Sequence, residues 1–154
     1  MDNTIHQFDN GIRVKTEFLL PSQLERYQKI NLHEPEEEVI FLDMLRQLKR
    51  PDPIFFDIGA AIGYYAILAK KQLPDVRIWA FEPLPAHLDA TRTHWTLNGL
   101  AEADIHLLKI GLSNTNGTAQ LWVNDFSSKL TQLETFQQLM KRRLFRKKDT
   151  LQKI

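Results

Sequence analysis

The sequence predicts an α/β fold built on an open, mostly parallel sheet with helices on both faces. Apolar, strand-like runs at "IFFDI" (54–58), "VRIWAF" (76–81) and "DIHLLKIGL" (104–112) alternate with stretches whose apolar residues recur at helical spacing. A strand–helix–strand–helix–strand order requires parallel strands joined by right-handed crossovers. Acidic and glycine residues also gather where the first two of these strands stop, the rim at which open parallel sheets bind ligands.

The elements follow in order. "GIRVKTEFLL" alternates well enough for a short strand, and "PSQLERYQKI" suits a turn or two of helix. In "HEPEEEVIFLDMLRQLKR", Pro35 opens a helix and Glu36 to Glu38 favour its positive end, while Val39, Leu42, Leu45 and Leu48 recur toward one face. Arg46, Lys49 and Arg50 suit its carboxyl end, and Pro51 and Pro53 stop it. After the first strand, "AIGYYAILAKKQL" is helical, with Ile62, Ala66, Ala69 and Leu73 on one side. "PAHLDATRTHWTLNGL" supplies the next helix, with Pro85 in its first turn, Leu88, Thr91 and Trp95 inward, and Asn98–Gly99 at its end. "NTNG" turns the chain into "TAQLWVN", an expected antiparallel edge strand, and Leu130, Leu133, Phe136, Leu139 and Met140 have helical spacing. The expected divisions are an amino-terminal extension with an amphipathic helix (1–50), a ligand-binding α/β unit (51–130) and a basic helix or tail (131–154).

The bulk composition fits a folded body with a real core: 154 residues, 43% apolar and 25% charged. Net charge is only +1, yet residues 141–154 hold seven basic residues and one acid, leaving −5 on the rest. Such a tail suits nucleic acid or anionic lipid, but a solvated helix end is the preferred reading and a nucleic-acid partner is not expected. With no Cys, disulfides, zinc thiolates and a cysteine nucleophile are excluded. No apolar run reaches the ~18 residues of a membrane span and no signal peptide is recognisable, so the expected location is cytoplasmic. His6, His33, His87, His94 and His106 form no metal-binding pattern, and surface or locally satisfied histidines are the preferred reading. No Ser–His–acid triad or paired acid and base is evident, so no catalytic residue is assigned.

Asp57 and Gly59 stand at the end of the first strand and Glu82 at the end of the second. Gly59 allows close backbone approach or a torsion that other residues resist, and Gly63 lets the following helix approach the sheet. Asp57 either orients that turn or accepts from a cationic ligand, although a tight strand-to-helix turn alone also uses Asp and Gly. Glu82 suits the two hydroxyls of a ribose, or else helps cap the next helix. Together they predict a nucleoside site. A dinucleotide fingerprint is incomplete, because Ala61 and Tyr64 occupy its second and third glycine positions. S-adenosylmethionine, which has no pyrophosphate, fits better than a nicotinamide dinucleotide.

"FFDIGAAIGYYAILA", "WAFEPLPAHLDATRTHWTLNGL", "KIGLSNTNGTAQLWV" and "HEPEEEVIFLDML" resemble the amino-terminal part of FkbM-type methyltransferases over about residues 31 to 130. The resemblance implies a partial Rossmann-like class I methyltransferase fold with S-adenosyl-L-methionine as cofactor. It implies methyl transfer to the hydroxyl of a small molecule, such as a sugar or natural product. It places Asp57, Gly59, Ala60 and Gly63 on the methionine side, Glu82 at the ribose, and Glu34, followed by Pro35, near the cofactor. The family's usual Asn falls on Ala61, which removes one polar side chain. The stretch Ser127, Ser128 and Leu130 is similar to a further, weaker family feature.

The family's later acidic strand has no counterpart in this sequence. That strand would lie beside the one ending at Asp57, whose edge would otherwise expose backbone groups and apolar side chains. The sequence therefore reads as truncated, as completed by a partner chain, or as a remnant. The alternative function is a noncatalytic nucleoside-binding or protein-interaction module.

Overall fold

Parallel pairing of three strands organises the computed structural model, which describes residues 4–48, 51–124, 127–130 and 150–153. β1 (Ile5–Gln7) and β2 (Arg13–Lys15) form an antiparallel hairpin, followed by a 3-10 turn (Thr16–Phe18), α1 (Pro21–Tyr27) and α2 (Pro35–Gln47). Then come β3 (Ile54–Ile58), α3 (Tyr64–Gln72), β4 (Arg77–Phe81), α4 (Pro85–Leu97), a 3-10 turn (Glu102–Asp104) and β5 (Ile105–Leu108). The sheet order is β3-β4-β5, all parallel, as the alternation of strand and helix requires.

Register explains which face became the core. Phe55 lies opposite Ile78 and Ile78 opposite Ile105, while Asp57 lies opposite Ala80 and Ala80 opposite Leu107. These residues share one face because strand side chains alternate. Ile78 and Ala80 have no exposed surface, and this row packs in one cluster with Ala66, Ile67, Leu68 and Ala69 of α3 and Trp95 of α4. Each fully buried large side chain of this kind contributes roughly 1.5–3 kcal/mol.

One face of the sheet carries this buried row. On the other, Ile54, Phe56 and Ile58 are 46%, 57% and 65% exposed. β3 also ends the sheet, so its outer edge has no strand partner in that sheet.

The α2 helix forms where the sequence places it, but with a different inward face. Leu45 is buried, Val39 and Leu48 are exposed, and the acidic Glu38 is buried. Three-residue spacing drifts against a period of about 3.6 residues, so Val39 and Leu48, nine residues apart, point in opposite directions. Glu38 is seven residues before Leu45, which returns it to the same side. Its carboxylate accepts the backbone N–H groups of His33 and Glu34 and the Tyr64 hydroxyl, at 2.9, 3.1 and 2.8 Å, all on Oε1. Oε2 accepts from Asn10 at 3.0 Å. One buried carboxylate thus joins the first hairpin, the start of its own helix and the start of α3.

Residues 1–112 form one compact unit and 113–154 a second. The second holds β6 (Gln120–Asn124), β7 (Ser127–Leu130) and β8 (Thr150–Lys153) in the order β7-β6-β8, with both pairings antiparallel. The expected strand at "TAQLWVN" is present and antiparallel, but its partners are β7 and β8 rather than a strand of the parallel sheet. Leu130 lies in β7 opposite Leu121, not at the start of a helix. The rest of the expected helix and most of the basic tail lie outside the described residues.

Candidate cofactor site

The turn between β3 and α3 enters the left-handed region three times, at Gly59 (φ 79°), Ala61 (φ 48°) and Gly63 (φ 76°). Glycine adopts such torsions without side-chain conflict, whereas alanine pays roughly 1–2 kcal/mol. The surrounding residues hold Ala61 on both sides of its peptide units. Its N–H donates to Glu82 Oε2 at 2.9 Å, and its carbonyl accepts the Thr91 hydroxyl at 2.7 Å. The next carbonyl, of Ile62, accepts His94 Nδ1–H at 2.9 Å, which leaves His94 Nε2 to accept the Lys15 N–H at 3.1 Å. Burial pushes the His94 pKa down, consistent with a neutral ring serving as donor on one nitrogen and acceptor on the other. Gly59 and Ala60 N–H groups both donate to Phe81 O, at 2.9 and 3.2 Å, fastening the turn to the end of β4.

Gly63 has a different purpose from the one its sequence position suggests. A Cβ there would meet Thr91 Cγ2 and Trp95 Nε1 at 2.7 Å each, so the missing side chain admits α4 rather than the sheet. Around Gly59, which is exposed, a Cβ would meet nothing within 4 Å; its requirement is torsional.

Asp57 and Glu82 emerge at the carboxyl ends of adjacent parallel strands. Both are buried, at 9% and 3% exposure, yet their acidities are driven in opposite directions. Burial lifts the Asp57 carboxyl from the usual 3.8 to about 6; the Ala66 backbone N–H opposes this and the nearby Glu82 charge adds to it. Asp57 Oδ2 is buried without a hydrogen-bond partner. Burial also raises Glu82, but His87 and the N–H groups of Leu84 and Ala61 outweigh it and hold that carboxyl below the usual carboxylate value. Leu84 N–H reaches Glu82 Oε1 at 2.8 Å. Two neighbouring carboxyls, one poised to accept a cation and one firmly ionised, suit different parts of a polar ligand.

Glu34 stands on a different element from Asp57 and Glu82. At the amino end of α2, its Oε2 accepts the Tyr65 hydroxyl at 2.7 Å, which ties it to the first turn of α3. No described hydrogen bond or ion pair joins it to Asp57 or Glu82. His33 packs among aromatic rings, 4.5 Å from Tyr64 and 5.8 Å from Phe8, with Nδ1 2.8 Å from the Tyr27 hydroxyl. Ala60 is buried beneath the turn at 6% exposure. A separate groove of about 300 Å³ runs along β5, lined by Trp79, Arg92, Trp95, Glu102 and His106; it does not include Asp57, Gly59 or Glu82.

Sequence reasoning missed Thr91, His94 and His87 as supports of this rim. Their signal was helical spacing: 87, 91 and 94 lie three and four apart on the buried side of α4. Among the described residues, no group of three or more His, Asp or Glu is arranged to hold a metal. No helix of the described residues is long and apolar enough to cross a membrane.

No protein-family model matches the chain. It is 36% identical over 70 residues to Methyltransferase sdnD of Sordaria araneosa, a stretch covering 46% of this chain and 27% of that protein. Among solved structures it is similar to precorrin-6y C5,15-methyltransferase from Geobacter metallireducens GS-15, with 25% identity, a TM-score of 0.43, and 51% of this chain and 40% of the other covered. The ribosomal protein L11 methylase from Lactobacillus delbrueckii subsp. bulgaricus gives 25% identity, a TM-score of 0.40, and 51% and 38% coverage. The open α/β fold with a parallel sheet is seen in the described residues themselves, and the 70-residue similarity spans about a quarter of the length of the curated methyltransferase it matches.

Proposed function

We propose that the first unit is the cofactor-binding part of an S-adenosyl-L-methionine-dependent methyltransferase of FkbM type. The observation that carries this reading is the pair of buried carboxyls at adjacent strand ends, joined to one left-handed glycine turn. Asp57 has a buried oxygen without a partner, and the methionine ammonium would supply a cationic donor there. Glu82 retains lone pairs beyond the two N–H groups it accepts, which suits the ribose hydroxyls. Gly59, Ala60 and Gly63 shape the backbone between them. Glu34, whose carboxylate accepts the Tyr65 hydroxyl, is proposed as a further cofactor-binding residue. The partial likeness to a methyltransferase supports the same reading.

The cofactor would supply an activated methyl on a sulfonium. Held by Asp57 at its ammonium and by Glu82 at its ribose, it would make that methyl available to the hydroxyl of a sugar or natural product. No described residue is assigned as a catalytic base. The exposed face and open edge of β3 favour completion of the sheet by a further strand, here proposed to come from a partner chain.

That same exposed face favours a second reading, a noncatalytic interaction module that keeps the fold without the reaction. Isothermal titration with S-adenosylhomocysteine separates the two. Micromolar binding that is lost in Glu82→Gln supports the cofactor reading; a folded, monodisperse chain that binds nothing supports the interaction module.

A further inference from the structure

We infer that His87 is a positioning residue for Glu82, holding its carboxylate turned so that the free lone pair of Oε2 faces a ligand hydroxyl. This rests on the cofactor reading above and adds a residue to it. His87 is in the first turn of α4, 6% exposed, two residues after Pro85. Its Nδ1 is buried without a hydrogen bond and stands 3.5 Å from Glu82 Oε1. That separation is within ion-pair reach but longer than a normal hydrogen bond, so a small side-chain rotation completes the contact.

The chemistry of the two oxygens makes this arrangement useful. Oε1 accepts Leu84 N–H and Oε2 accepts Ala61 N–H, one donor each. An ionised carboxylate has about four acceptor sites, so roughly two remain, one on each oxygen, and His87 on Oε1 leaves the one on Oε2. A buried Lys or Arg would occupy both with a full charge and compete with ligand hydroxyls. An imidazole offers one donor, along one direction, and leaves the other oxygen open. His87 Nδ1 faces Glu82 Oε1 at 3.5 Å, a contact that becomes an ion pair only when the ring is protonated. His87 is also the strongest influence opposing the burial that would protonate Glu82.

The test compares two ligands across three proteins. S-adenosylhomocysteine and its analogue lacking one ribose hydroxyl are titrated into the unsubstituted chain, His87→Phe and His87→Asn, with folding checked by urea unfolding. Phe keeps a ring but no donor, whereas Asn restores a donor near the Nδ1 position; His87→Leu replaces Phe if that variant does not fold. The expected result is about tenfold weaker S-adenosylhomocysteine binding in His87→Phe, little further loss for the deoxy analogue, and recovery in His87→Asn. Equal losses for both ligands, or no loss in His87→Phe, overturn the inference. Failure of the unsubstituted chain to bind either ligand overturns the cofactor reading itself, which is a distinct outcome.

Discussion

The Ala61 backbone N–H donates to Glu82 Oε2 at 2.9 Å, so the acid at the end of one strand holds the strained turn that follows its neighbour. Local strain and the candidate site are therefore one construction. The left-handed alanine persists because Glu82, Thr91 and His94 fix the polar groups on either side of it.

Replacing Ala61 separates the strain from the contacts. Ala61→Gly relieves a left-handed cost of roughly 1–2 kcal/mol while adding roughly 0.4–1 kcal/mol of unfolded-chain entropy, so it is neutral to mildly stabilising. Ala61→Val, with a β-branched side chain at φ 48°, destabilises by about 2 kcal/mol or more. Urea unfolding checks both; a Gly variant clearly less stable than the parent contradicts the strain argument.

Gly59 and Gly63 share nearly the same torsion but differ in surroundings. Gly59→Ala meets open space and carries the torsional cost alone, about 1–2 kcal/mol. Gly63→Ala adds overlap with Thr91 and Trp95 and costs at least about 2 kcal/mol more. The difference between their unfolding midpoints reads the overlap directly.

How much of this was legible in the sequence depended on how local the cause was. "IFFDIGAAIG" showed a strand, an acid and a turn because period-two patterning and glycine act over a few residues. α2 was legible as a helix, but its buried face was not, since leucine spacing pointed to Val39 and Leu48 while the chain buried Glu38. That choice depends on Asn10 and Tyr64, 28 and 26 residues away, which no local pattern reports. His94 likewise shows its role only when Ile62 and Lys15 converge on its two nitrogens. The partners of β6 also required long-range pairing, with β8 some thirty residues beyond it in the chain.

The two faces of the parallel sheet respond unequally to truncation. Ile78→Ala, on the covered face of the neighbouring strand, costs about 2–5 kcal/mol. Phe56→Ser, at 57% exposure on the open face, changes stability by less than about 1 kcal/mol. Similar large losses in both variants would mean that the open face is covered in solution.

Asp57 makes stability depend on pH with a definite sign. A carboxyl raised from 3.8 to about 6 gives stability that is fully present below its unfolded value and lost as pH rises through its folded value. Two pH units correspond to roughly 3 kcal/mol. Glu82, held low, acts in the opposite sense, since its contribution is lost as pH falls through its folded value. Urea titrations of the unliganded chain and Asp57→Asn, taken from pH 4 to pH 7, isolate the first effect: the difference between them shifts in favour of the Asn variant by roughly 2–3 kcal/mol as pH rises.

The most direct measurement is a crystal structure of the chain soaked with S-adenosylhomocysteine. Ribose hydroxyls on Glu82, with the ligand's ammonium beside Asp57 and its backbone along the Gly59 turn, are the predicted result. A ligand seated instead in the groove beside Trp79 and His106, with both carboxyls untouched, would contradict the account.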